Sequence, residues 1–371
     1  MKRRSFLKRS AGVGLAGTGA IAGVIGSGQA PALAKGSKRL RMVTTWPKNF
    51  PGLGTSAERF AQRLKAMSGG TLDVKVYADS ELVPALEAFD AVASGSADMY
   101  HGAEYYWQGK SMAFNFFTSV PYGLTANEMN AWIYHGGGQK LWDELSAGFN
   151  VKALMVCNTG VQMGGWFNKQ INTLEDFKGL IIRMPGLGGE VLRRMGASAV
   201  TLPGGEIFPS MKSGAIHATE WVGPWNDLAF GFHKVAKYYY YPGFQEPGPA
   251  ISCGINLKVW NSFTAEQKAM ITAAAAAENS YSLAEFDTNN ARSLNILKTK
   301  HKITPRRFTD TVMKEIGNQS GSVIADAAKS DAMTGKVARS YLDFRKSMIS
   351  WSKIADHAYA NARLLPFKYG G

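Results

Sequence analysis

Five residues in the second half of the chain combine a planar cationic fork with a set of oxygen ligands. Arg183 closes the strand-like run Leu180–Met184, and Glu220 and Trp221 close the run Ala215–Thr219. Gln162 follows the run Ala153–Cys157 through Asn158-Thr159-Gly160-Val161, and Glu246 sits in the rigid turn Phe244-Gln245-Glu246-Pro247-Gly248. An arginine at a strand end can grip a carboxylate bidentately, which its planar fork does better than lysine. One glutamine and two glutamates offer only oxygen, a donor set for sodium or calcium rather than zinc. Each residue has an ordinary alternative. Arg183 can be a salt bridge with Glu220 itself as partner, Glu220 and Glu246 can be solvated loop residues, and Trp221 and Trp225 can be packing between domains. What raises the set above these alternatives is its convergence on one face of one sheet.

Other chemistries lack their residues. The six histidines show no metal-ligating spacing. Pro185-Gly186-Leu187-Gly188-Gly189 misses the third glycine of a dinucleotide fingerprint, and no phosphate loop or nucleophile elbow is present. Cys157 and Cys253 are the only cysteines, too few for iron–sulfur ligation, and the sequence leaves open whether they pair. There is no catalytic constellation.

The elements that must position these residues are α/β in type. Strand-like Leu40–Trp46 runs into a Pro/Gly loop and then a helix with Ala57, Phe60, Ala61, Leu64 and Met67 on one face. A strand at 72–77, a helix from about Pro84 to Ala93 and a strand from Ala97 to Tyr100 follow, a βαβ alternation that predicts a mostly parallel sheet. The second half repeats the plan with a capping box at Thr173–Asp176, the strand at 180–184, helices around 191–195 and 206–212, and the strand at 215–219. A local echo links the halves: Ser94-Gly95-Ser96-Ala97-Asp98-Met99 and Ser213-Gly214-Ala215-Ile216-His217-Ala218 each lead into an aromatic cluster, Tyr105-Tyr106-Trp107 and Trp221 to Trp225. Two such lobes would face each other with aromatic strand ends, where open α/β sheets bind ligands.

From Thr264 the pattern turns helical. Thr264-Ala265-Glu266-Gln267 is a capping box, and no Pro or Gly interrupts the chain to about His301. At ~1.5 Å per residue this helix reaches about 55 Å, enough to cross both lobes. A last helix, Val337 to Arg363, carries Tyr341, Phe344, Met348, Trp351, Ile354 and Ala358 at helical spacing, as core or as a dimer contact.

The N-terminus fixes the compartment. Lys2-Arg3-Arg4-Ser5-Phe6-Leu7-Lys8 is a twin-arginine export signature, the Ala/Gly/Val run behind it is short, and Ala32-Leu33-Ala34 is a cleavage site that starts the mature chain at Lys35. The net charge of +14 falls to +9 once the signal's five basic residues are removed. The remaining Lys and Arg are scattered, which argues against nucleic acid and for a soluble basic surface.

With these residues in place, the chain resembles the solute-binding proteins of TRAP transporters, the tripartite ATP-independent periplasmic systems. The resemblance rests on Leu174-Glu175-Asp176-Phe177-Lys178-Gly179-Leu180-Ile181-Ile182-Arg183-Met184-Pro185 and on Lys212-Ser213-Gly214-Ala215-Ile216-His217-Ala218-Thr219-Glu220-Trp221. Trp221-Val222-Gly223-Pro224-Trp225-Asn226-Asp227 and Gly243-Phe244-Gln245-Glu246-Pro247-Gly248 are similar to the branch that binds 2-oxo and 2-hydroxy monocarboxylates with a metal ion. The resemblance implies a two-lobed periplasmic binding protein with a domain-spanning helix and a C-terminal helical extension. Residues 35–159 plus 250–263 would form lobe I, 160–249 plus 302–335 lobe II, 264–301 the spanning helix and 336–371 the C-terminal helix.

The resemblance also implies roles. Arg183 grips the ligand carboxylate, and Gln162, the Glu220 side chain, the Trp221 carbonyl and Glu246 surround one sodium or calcium ion. Tyr105 or Tyr106 closes over the ligand, and Asn158 and Phe244 join the ligand-binding set. The partners are a small organic carboxylate, membrane permease subunits and a second copy of the chain held through the C-terminal helix. The chain departs from the family at His217, where many members carry aspartate. Arg183, Glu220, Glu246 and the ligand sum to −2, which calcium neutralises and sodium does not. The expected function is a periplasmic receptor, not an enzyme; the rivals are an exported enzyme acting on small acids and a ligand sensor on the same scaffold.

Overall fold

The computed structural model describes residues 37–370, so the expected signal peptide and the cleavage at Lys35 lie outside the described residues. Eleven strands form two sheets. The first takes β1 (Lys38–Thr44), β2 (Leu72–Tyr77), β3 (Met99–Gly102) and β4 (Val151–Asn158). The second takes β5 (Gly165–Phe167), β6 (Ile181–Arg183), β7 (Ser198–Val200), β8 (Ala218–Thr219), β9 (Tyr238–Tyr241) and, after β10 (Ala250–Asn256) returns to the first sheet, β11 (Arg306–Arg307). The strand orders are β2-β1-β3-β10-β4 and β11-β9-β5-β8-β6-β7.

A mostly parallel sheet was the expectation, and both sheets are mixed. β1, β2 and β3 run parallel, but β10 lies antiparallel between β3 and β4. In the second sheet β6 is parallel to β7 and β8, while β5 is antiparallel to β8 and β9. The two antiparallel strands, β5 and β10, are ones the chain reaches on crossing from one sheet to the other, whereas β11, also reached by a crossing, runs parallel to β9. β4 and β10 carry the continuous apolar runs of strands covered on both faces.

The long helix spans Ala265–Thr299, with Thr264 Oγ1 accepting from Gln267 N at 3.2 Å and Gln267 Oε1 accepting from Thr264 N at 3.1 Å. It packs on β4 and on helix Leu53–Met67 and also on helix Pro224–Phe230, so it touches both lobes. Glu278 and Glu285 bind Arg59 at 2.8 Å each on the first side, and Asn290 Oδ1 accepts from Trp225 N at 3.0 Å on the second. Helices Ala126–Tyr134, Gly138–Ala147 and Asp310–Ala327 add to elements visible in the sequence pattern.

Two other expectations change. The strand foreseen at 215–219 shortens to β8, because Gly214 at φ +79° ends the preceding helix and residues 215–217 form the turn out of it. The C-terminal helix divides into Ala332–Ser352 and Asp356–Ala362. Tyr341 is buried under Phe116 and Trp132 and Arg345 Nε donates to Tyr122 O at 2.6 Å, but from Ile349 onward the large apolar side chains of the helix stand exposed. Packing of an apolar face supplies most helical stability, so the stretch from Ile349 to Tyr369 stands exposed with Trp351, Ile354, Tyr359 and Leu364 bare. No helix among the described residues is long and apolar enough to cross a membrane. Cys157 and Cys253, on neighbouring strands β4 and β10, are buried free thiols whose pKa values burial pushes up.

Candidate functional site

The echo between the two halves has a structural counterpart. Gly95 at φ +85° and Gly214 at φ +79° each end a helix, a strand follows, and each strand leads into an acidic residue, Glu104 or Glu220, and into aromatics of which Tyr105, Tyr106 and Trp221 line the cavity between the sheets. The side chain that opens each strand accepts a backbone N–H of the neighbouring strand: Asp98 Oδ2 from Arg41 at 2.7 Å, and His217 Nδ1 from Ile181 at 3.2 Å. His217 therefore performs the same acceptor's task in the second half that Asp98 performs in the first.

Arg183 ends β6, in register with Thr219 of β8 and Val200 of β7, and is fully buried. Its Nε donates to Leu202 O at 3.2 Å, Nη1 to Glu220 O at 3.1 Å and to Glu220 Oε1, and Nη2 to the Tyr106 hydroxyl at 3.2 Å. A guanidinium has five N–H groups, so one hydrogen on Nη2 is left. The ordinary alternative, a salt bridge to Glu220, is thus present in the structure, and the bidentate fork is largely committed to internal partners. The guanidinium also stacks over Trp221 at 4.9 Å.

Gln162 and Glu246 are brought together by two chain crossings that run side by side. Gln162 N donates to Glu246 O at 3.1 Å and Gly243 N to Gln162 O at 2.9 Å. A Cβ at Gly243 would lie 2.4 Å from Gln162 O, so only glycine permits this approach. Gln162 Nε2 then donates to Glu246 Oε2 at 2.8 Å and to Thr159 Oγ1 at 3.1 Å. Three acceptor or donor atoms stay unpaired though buried: Gln162 Oε1, Glu220 Oε2 and Trp221 Nε1.

Between the sheets these residues enclose a small cavity of about 10 Å³ lined by Trp46, Leu53, Tyr105, Tyr106, Thr159, Gln162, Trp221, Val222, Glu246 and Ile251. Arg183 and Glu220 stand directly behind Tyr106 and Trp221. Tyr105, Tyr106, Gln162, Trp221 and Glu246 are therefore assembled as expected. Asn158 and Phe244 are not. Asn158 bonds the backbone, donating to Gly248 O at 3.1 Å and accepting from Gly160 N at 2.9 Å, while Phe244 packs against Tyr122 in the core. Trp46, Leu53 and Ile251 were missed. Trp46 follows β1 on the cleft side, and the rule that ligands meet strand ends would have pointed to it.

Burial dominates the electrostatics. It pushes Glu220 up to about 7 despite Arg183, helped by Asp227, whose own carboxyl burial also lifts to about 7. Glu246 is pushed well up by burial and by Glu220. Asp227 accepts from Tyr239 at 2.7 Å and Trp166 at 3.0 Å, and from Val222 N at 3.4 Å, so it fixes the segment that carries Glu220 and Trp221. Two buried carboxyls, Glu220 and Glu246, act on one guanidinium, with Asp227 behind Glu220, and make surroundings that favour positive charge. Two unpaired oxygens, Gln162 Oε1 and Glu220 Oε2, fit a hard cation, and the Glu246 carboxyl beside Gln162 is an oxygen donor of the same kind.

Known proteins share this architecture. The model of bacterial extracellular solute-binding protein family 7 matches residues 42–331. The chain is 39% identical over 324 residues to the monocarboxylate 2-oxoacid-binding periplasmic protein of Nostoc sp., spanning 87% of this chain and 88% of that one. A TRAP periplasmic solute-binding protein from Pseudoalteromonas atlantica, solved with bound sodium and pyruvate, superposes with a TM-score of 0.85 at 38% identity, covering 90% of this chain and 100% of its own. Another from Colwellia psychrerythraea, solved with bound calcium and pyruvate, gives 0.85 at 36%, covering 88% and 99%. The two-lobed α/β fold, the crossings between sheets and the matched residues agree: the chain belongs to the DctP family of extracellular solute-binding proteins, the family of TRAP-transporter receptors.

Proposed function

We propose that this chain is the periplasmic receptor of a TRAP transporter for a small 2-oxo or 2-hydroxy carboxylate of the pyruvate or lactate kind. The observation that carries the reading is a pair of unpaired buried oxygens, Gln162 Oε1 on the wall of a cavity that also holds Glu246, and Glu220 Oε2 beside Trp221 just behind that wall. A buried acceptor without a donor costs about 1–3 kcal/mol. A cation at this point relieves both and supplies a positive centre that binds the ligand's carboxylate and 2-oxygen. Gln162, Glu220, the Trp221 carbonyl and Glu246 hold it. Arg183 offers its remaining Nη2 hydrogen and its charge to the carboxylate, and Tyr106, already bonded to that nitrogen, closes the cavity from the first sheet. Relatives solved with pyruvate beside sodium or calcium support the same chemistry. With Glu246 in the cavity and Asp227 behind Glu220, the negative charge favours calcium over sodium.

The rest of the reading concerns delivery. The twin-arginine signal exports the protein to the periplasm, where hinge closure around the ligand prepares it for the membrane permease subunits. The bare apolar stretch from Ile349 to Tyr369 supports a homodimer formed through the C-terminal helices. The family is one of solute-binding proteins rather than enzymes. A thermal-shift screen of small carboxylates with calcium, sodium or chelator tests the assignment. A ligand at 100 times its Kd should add about 2.7 kcal/mol of stability. Pyruvate should shift the protein only when a cation is present, and consumption of any ligand during the assay would contradict a receptor.

A further inference from the structure

We infer that Trp46, pinned by His101, is the wall that limits the ligand's carbon chain, and that the cavity therefore selects short 2-oxo acids over longer ones. The inference rests on the site reading above. The cavity's lining is of two kinds: Gln162, Glu246, Thr159 and the two tyrosines are polar, and Trp46, Leu53, Val222 and Ile251 are apolar. A carboxylate and its 2-oxygen belong on the first kind, so the remaining carbons must meet the second.

The largest of these apolar side chains, the Trp46 indole, has little freedom to move. Trp46 Nε1 donates to His101 Nδ1 at 2.8 Å. Indole nitrogen is a donor only, so His101 must accept at Nδ1 and carry its proton on Nε2. Burial lowers the His101 pKa to about 3, which keeps that acceptor available at every working pH. The imidazole meets the indole edge-on at 6.2 Å, Tyr106 of the same lobe meets it at 6.4 Å, and across the cleft the indole meets Trp221 edge-on at 6.0 Å. The main chain of Trp46 is tied as well, its carbonyl accepting from Asp79 N at 2.9 Å. Leu53, fully buried at the start of its helix, completes the wall. Trp46 and Leu53 would touch the ligand's carbons; His101 is a positioning residue that acts through Trp46.

The test is calorimetry of the mature protein with calcium against pyruvate, 2-oxobutyrate and 2-oxovalerate. In the wild type, Kd for 2-oxovalerate should exceed that for pyruvate by about tenfold or more, the discrimination typical of misplaced methylenes. Leu53→Ala and His101→Leu should each reduce that ratio by about tenfold. His101→Gln, which keeps an acceptor for the indole, should restore the wild-type ratio; a purely structural role for His101 would not separate the two variants. The inference is overturned if the wild type binds 2-oxovalerate as tightly as pyruvate, or if Leu53→Ala leaves the ratio unchanged. Failure of pyruvate to bind the wild type at all would overturn the site reading together with this one.

Discussion

Arg183 points Nη1 at two parts of Glu220, its side-chain Oε1 and its main-chain carbonyl at 3.1 Å. The contact follows from sheet register. β6 and β8 are paired neighbours with Arg183 opposite Thr219, so the residue after Thr219 must lie beside the guanidinium. The ion pair locks the arginine's orientation and leaves one face of it towards Tyr106 and the cavity. A buried pair of this kind is weak evidence of stability, but removing one partner leaves the other charge uncompensated.

Arg183→Ala should therefore cost about 3–5 kcal/mol of stability as well as ligand binding. Arg183→Lys separates the two effects. Lysine keeps the charge but has three donors for the four acceptors that Arg183 now serves. Its pyruvate Kd should rise about 10- to 100-fold, the value of a lost charged hydrogen bond, measured by calorimetry. Wild-type affinity in Arg183→Lys would remove the arginine from the ligand.

Cation binding should depend on pH in a defined sense. Glu220, Glu246 and Asp227 have folded pKa values raised above those of the unfolded chain, so the cation-free fold holds extra protons. Its stability falls as pH rises from the unfolded value of about 4.3 through about 7, where those protons leave. A cation competes with them. The rise in Tm given by calcium should be larger at pH 7.5 than at pH 5.5. His101 does not disturb this comparison, because its lowered pKa adds the same pH dependence with and without calcium. An equal calcium shift at both pH values would contradict a carboxylate cation site.

Gly254 on β10 has no room for a side chain: a Cβ there would lie 2.0 Å from the Tyr100 ring. Tyr100 cannot step aside, because its hydroxyl donates to the buried Glu104 at 2.6 Å. Gly254→Ala should destabilise the first lobe by about 1–3 kcal/mol, the usual cost of overpacking, read from urea unfolding. A neutral result would show that β10 or the ring can shift.

Deleting residues 349–371 removes most of the exposed C-terminal apolar side chains and none that lines the cavity. The shortened protein should run as a monomer by light scattering while the full mature chain runs as a dimer, with pyruvate affinity unchanged. Identical masses for the two would contradict assembly through this segment.

Much of the site could be read in the sequence because its residues sit at the ends of apolar runs that glycine stops mark off, even where the strand itself is as short as β6 or β8. Arg183, Glu220 and Trp221 belong to this class. Gln162 and Glu246 were legible only as polar residues in Pro/Gly-rich turns; their contact depends on two crossings that come together through Gly243, a relation no local pattern carries. Asn158 looked equally suitable, yet its amide closes backbone hydrogen bonds at the same crossing. The mixed sheets escaped for a similar reason, since the direction of β5 and β10 depends on long-range pairing that no local pattern carries. His101 could not be assigned at all: its role comes from an indole 55 residues away.

The central claim is that Arg183 and one oxygen-bound cation hold a small 2-oxo acid together between the sheets. A crystal structure of the mature protein grown with calcium and pyruvate tests it most directly. The account predicts a cation held by Gln162 Oε1, Glu220, the Trp221 carbonyl and Glu246, with the pyruvate carboxylate on both the cation and Arg183 Nη2. Pyruvate bound elsewhere, or Arg183 still closed on its internal partners with no contact to the ligand, would contradict it.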